Sequence, residues 1–76
     1  MIGEYINKLG KLEMELIKAL DKITVKKNAK DILNHYVQAK NEIISTYQDE
    51  GVRKVYDELI KYVQSYLTLL TGEEYD

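Results

Sequence analysis

Two charged side chains stand where the sequence pattern asks for apolar ones. Glu13 falls inside the arc formed by Leu9, Leu16, Ile17 and Leu20, and Lys40 falls among Tyr36, Ile43, Ile44 and Tyr47. Both arcs follow from helical spacing, which returns residues three and four apart to one face. An unpaired charge inside such an arc costs on the order of several kcal/mol, whereas a hydrogen-bonded pair recovers most of it. In an antiparallel hairpin turning near residues 25–28, the two positions lie at the same height, so Glu13 and Lys40 are predicted to meet as a buried ion pair. A lysine of lowered pKa beside a carboxylate is a poised base or Schiff-base amine. The simpler role is a polar contact that locks helix register. The second is preferred, because no oxyanion donor or glycine-rich loop stands near either residue in the sequence, and a reactive lysine without a pocket does nothing.

Other residues with chemical capacity offer less. His35 is the only histidine, and Asp31 precedes it by one helical turn, so the two could share a divalent ion from one face. Two ligands do not make a site, and a solvent-facing histidine is the expected state. Phosphotransfer through His35 would need a supporting lysine and glycine that the neighbouring residues do not supply. With no cysteine, thiolate zinc sites and disulfides are excluded, and neither a metal nor a cofactor is expected. Lys22, Lys26, Lys27 and Lys30 surround the first turn and could contact phosphates, but a solvated turn is the preferred reading, because nucleic-acid domains usually carry net positive charge. Seven tyrosines, with no phenylalanine or tryptophan, supply all the aromatic area. Their rings can be buried with the hydroxyl at the rim, a habit common in cores and interfaces. Stacking on bases would want a basic groove, and Tyr56, Tyr62 and Tyr66 sit in the acidic half.

The elements that must position these residues read as helices. There is no proline, and 32% of residues are charged. Ile2, Tyr5, Leu9, Leu12, Leu16, Ala19 and Ile23 alternate three- and four-residue steps, predicting a helix over 2–22. Ala29, Ile32, Tyr36, Ala39 and Ile43 predict a second over 28–48, with Asn28 as N-cap. Val52, Val55, Leu59, Tyr62, Tyr66 and Leu69 predict a third over 50–71, with Asp49 as N-cap and Thr71-Gly72 as its stop. Only Gly51 opposes helix between the second and third, so one bent helix is the alternative to a tight turn there. Residues 73–76 are expected to fray. The fold class predicted is all-α, a three-helix antiparallel bundle in one domain over residues 1–72.

A chain of 76 residues is close to the smallest that a single core can stabilise. The third helix has an apolar face about half the wheel wide, more than one bundle is expected to bury. Val55, Leu59, Tyr62, Tyr66, Leu67 and Leu69 are therefore the predicted oligomer or partner face, and a homodimer sharing one core is the simplest way to cover it. Charge is uneven: residues 1–40 hold eight lysines against five acids, and residues 41–76 hold three basic residues against eight acids. No uncharged apolar run is long enough for a membrane span, and the start Met1-Ile2-Gly3 resembles neither a signal peptide nor a myristoylation site. A soluble cytoplasmic protein is expected. The function predicted is that of a non-enzymatic interaction module, an adaptor, regulator or assembly protein, which binds itself and another protein. Nucleic-acid binding by a dimer, through Lys22, Lys26, Lys27 and Lys30, is the alternative. An enzyme working through Lys40 and Glu13 ranks third.

Overall fold

Apolar residues at steps of three and four make Leu9, Leu12, Leu16 and Leu20 one continuous ridge on the first helix. A second ridge of Val55, Leu59, Val63 and Leu67, every fourth residue, runs along the third. In the computed structural model, which describes residues 2–22, 26–48 and 51–75 (backbone only at 26–28), the two ridges pack together as the main seam of a three-helix bundle. The helices are α1 (Ile2–Asp21), α2 (Lys26–Thr46) and α3 (Val52–Thr71), and no strand occurs among the described residues. No described helix is long and apolar enough to cross a membrane. One cleft gathers Ile6 and Glu13 from α1, Ile44 and Lys40 from α2, and Val52 and Leu59 from α3. Numbers rise together on α1 and α3 and fall on α2, so α2 runs against its two neighbours.

Burial is shared unequally. Among the described residues the buried core holds four side chains from α1, five from α3 and only Tyr36 from α2. The α2 seam expected from spacing is present but shallow: Ala29, Ile32, Ile43 and Tyr47 pack partly buried against the core. α2 and α3 are separate helices and not one bent helix. α2 ends in a turn at Tyr47 and Gln48, and α3 is preceded by Gly51, whose φ of 76° lies in the left-handed region that favours glycine.

Several boundaries and faces differ from the sequence expectation. Asn28 does not cap α2, which already begins at Lys26. Gly51 occupies the N-cap position of α3 without a side-chain hydrogen bond, and Asp49 lies outside the described residues. The described tail beyond Gly72 is not helical, and Tyr75 packs back partly buried against the core. The largest correction concerns α3. Val55, Leu59 and Leu67, predicted to face a partner, are buried inside the chain at 8%, 0% and 0% exposure. A helix in a three-helix bundle touches two neighbours, and each takes its own stripe. The wide apolar arc of α3 is thereby used up within one chain, leaving Val52 and Leu69 as its exposed large hydrophobics.

At its end α3 stops as the sequence implies. Gly72 adopts φ 74°, and its N–H donates to the Thr68 carbonyl at 2.8 Å. Two stability predictions follow from this packing. Leu59→Ala should cost about 2–5 kcal/mol, a large part of the roughly 4–11 kcal/mol available to a domain of this size. Gly72→Ala should cost about 1 kcal/mol through the left-handed cap. Urea unfolding followed by circular dichroism measures both, and a Leu59→Ala midpoint equal to that of the unmodified chain would contradict the assigned core.

Candidate docking face

Glu13 projects from α1 toward α2 because it lies one turn along from Leu9 and next to the Leu12–Leu16 ridge that faces α3. Lys40 and Tyr36 are four residues apart on α2, so both reach the same point. Lys40 Nζ donates to Glu13 Oε1 at 3.1 Å, and the Tyr36 hydroxyl donates to the same oxygen. No described residue donates to Oε2. The pair is not buried as predicted: the side chains of Lys40 and Glu13 are 38% and 28% exposed. The reason is that α2 sits shallowly on the bundle, so its polar contacts lie at the rim and not on the axis. Tyr36, by contrast, is 5% exposed. Its phenol is held well above the usual tyrosine range, first by burial, then by its hydrogen bond to Glu13 and by the charge of that carboxylate.

Beside this network lies an open cleft of about 410 Å³, walled mainly by apolar side chains and closed at one side by Glu13 and Lys40. Ile6 and Gly10 of α1 and Ile44 of α2 line it. Helical spacing extends the same face. On α1, Ile6, Gly10, Glu13 and Ile17 advance in steps of four, three and four. On α2, Leu33, Val37, Lys40 and Ile44 advance in the same steps. Ile6, Ile17, Leu33, Val37 and Ile44 are all exposed large hydrophobics. Gly10 is also exposed, and a Cβ built there would meet nothing within 4 Å. A glycine inside a helix costs about 0.5–1 kcal/mol relative to alanine, and no contact within the chain accounts for it here.

The tyrosines are largely engaged inside the bundle. The Tyr36 and Tyr62 rings lie 6.2 Å apart, and Tyr62 meets Tyr66 edge-on at 5.1 Å with the hydroxyls 3.4 Å apart. Arg53 Nε donates to the Tyr5 hydroxyl at 3.2 Å, and Lys54 stands over the Tyr47 ring at 4.8 Å. Tyr62 therefore links α3 to Tyr36 of α2, Tyr66 is half-buried beside it on α3, and Leu69, 79% exposed, is the most outward member of the predicted α3 face. The Tyr62 phenol is pushed up to about 12, chiefly by its hydrogen bond to Tyr66 and then by burial.

The remaining candidates do not converge. His35 and Asp31 are exposed, and no group of three or more histidine, cysteine or acidic side chains able to hold a metal occurs among the described residues. Lys22 and Lys30 are exposed, while the side chains of Lys26 and Lys27 lie outside the described residues. What the arrangement does chemically is to gather two donors on one carboxylate and fix the height of α2 on α1. Sequence reasoning missed the open face, although its signal was there: two parallel rows with a common four-three-four step, each interrupted by one member of the charged pair. In comparisons with protein-family models, curated proteins and solved structures, nothing matches this chain.

The phenols give a pH prediction. A folded-state pKa above the unfolded value contributes stability that is complete below the unfolded pKa and lost as pH rises toward the folded one. For Tyr62 that window runs from 10 to about 12, and Tyr36 adds to the loss across it. Helicity should therefore fall in that range together with late tyrosinate absorbance, and Tyr36→Phe should remove part of the late absorbance. Seven phenols titrating as one ordinary group would contradict the Tyr36 and Tyr62 environments.

Proposed function

We propose that this chain is a non-enzymatic interaction module, an adaptor, regulator or assembly protein, that works by docking the α1–α2 face onto a helix of a protein partner, itself included. The observation that carries the reading is the open apolar face around Glu13 and Lys40. Exposed isoleucine, leucine and valine run along it, and its cleft reaches down to Leu9, Val55 and Leu59 of the core. Contiguous exposed apolar surface rimmed by polar groups is the usual mark of a binding site. Residues in four-three-four steps are the usual anchors and grooves of helix recognition. On the predicted α3 face, Val55, Leu59 and Leu67 are core, while Tyr62, Tyr66 and Leu69 line a separate open groove of about 440 Å³ shared with Ile43.

Recognition on this face needs no turnover. A helix laid along it would meet apolar side chains at either end and a carboxylate with an ammonium between them. A photoreactive amino acid placed at Val37 and, separately, at Leu69 tests the reading in cells producing the full chain, with adducts identified by mass spectrometry. Position 37 should give a defined adduct that Ile44→Lys abolishes, and position 69 should give none. Adducts from position 69 alone, or from neither, would overturn it.

A further inference from the structure

The charge pattern of the α1–α2 face identifies its occupant. Glu13 and Lys40 stand side by side at one height of an antiparallel pair, 3.1 Å apart and both part-exposed. Both donors to Glu13 use Oε1, and no described residue donates to Oε2. A helix pair that brings a cation opposite Glu13 and an anion opposite Lys40, set one helix spacing apart, complements the charges of the face. Apolar residues on both sides of them in matching steps complement the rest. The α1–α2 face itself meets this description.

We infer that the face is covered by a second copy of this chain, related by a two-fold axis running parallel to the helices. This rests on the reading that the α1–α2 face docks helices. Rotation about such an axis preserves height along the helices and exchanges left with right, so α1 of one copy lies on α2 of the other. Glu13 then faces Lys40 of the second copy, Lys40 faces Glu13, and four charges alternate around a square. An axis lying in the face but across the helices would set Glu13 on Glu13 and Lys40 on Lys40. Like charges brought together in a partly desolvated interface oppose that arrangement. The pair thus selects one of the two symmetric ways of closing the face.

The apolar rows agree with the same rotation. Ile6 comes within about one helical turn of the second copy's Ile44, with which it already shares the walls of one cleft. Ile17 comes to the level of Val37 and Leu33, all three exposed in the single chain. Gly10, with open space where a Cβ would stand, lets the facing helix approach between them. Just outside the α2 row, Asn34, Asn41 and Gln48 repeat every seven residues and are exposed, forming an uncharged polar rim. The product is an isologous interface of four helices, with α1 antiparallel to the facing α2, and a polar contact at its centre that sets register.

Charge exchange between two variants of the purified full chain tests this by sedimentation velocity, with circular dichroism to check folding. The unmodified chain should sediment as a dimer. Glu13→Lys gathers four cations at the square and Lys40→Glu four anions, so each alone should weaken association on the order of a hundredfold or more. An equimolar mixture of the two should restore a dimer containing one of each. Because both variants also touch Tyr36, the same mixing is run with Ile17→Lys and Val37→Glu, which lie outside the core, and again only the mixture should regain strong association. A monomeric unmodified chain, or mixtures of folded variants that stay monomeric, would overturn the inference. If position 37 still gives adducts with a different protein, the docking face survives without the second copy, and if it does not, both readings fall together.

Discussion

The attachment of α2 is the constraint on which the rest of this structure depends. α1 and α3 are zipped by two apolar ridges, but among the described residues α2 contributes a single buried side chain, Tyr36. It is held in place by that side chain, by a shallow row of partly buried ones, and by the carboxylate of Glu13, which accepts from Tyr36 and Lys40 together. A polar contact of this kind adds little net stability, because desolvation offsets much of the attraction. What it adds is position. Moving α2 along α1 by one turn would leave the buried Tyr36 hydroxyl without its acceptor, and an orphaned buried hydroxyl costs about 1–3 kcal/mol.

Holding α2 by its polar edge has a structural consequence. The apolar residues beyond that edge, Leu33, Val37 and Ile44, stay 37–46% exposed, and Ile6 and Ile17 across from them 45% and 48%. In a chain of 76 residues this is a substantial share of the apolar surface left wet. The surplus that the sequence implies therefore exists, but it has moved from α3 to the α1–α2 side. Association through that side would supply the burial that the small core lacks, and it would use the register contact a second time as a selector of geometry.

How much of this was readable from residues alone can be judged element by element. Three helices, their order and the Gly72 stop follow from period and cap chemistry, which are local. The equal height of Glu13 and Lys40 follows from two interruptions in apolar arcs, and the atoms lie 3.1 Å apart. Their exposure was not readable, because it depends on how deeply α2 sinks between its neighbours, and that depth is set by the volumes of side chains on three helices at once. The same three-body dependence hid the fate of Val55, Leu59 and Leu67. Counting one stripe per helix leaves them spare, whereas a helix between two neighbours buries two stripes. The start of α2 at Lys26 instead of Asn28 is the ordinary uncertainty of helix ends, and the return of Tyr75 to the core has no local signal.

The measurement that addresses the central claim most directly is an isotope-filtered nuclear Overhauser experiment on a mixture of labelled and unlabelled chains, which registers only contacts between copies. The account predicts cross-peaks from the Ile17 methyls of one copy to the Val37 and Leu33 methyls of the other, and from Ile6 to Ile44, with none at Leu69. Cross-peaks joining Leu69 of two copies, joining α1 to α1 across the face, or no intermolecular cross-peaks at all would contradict it.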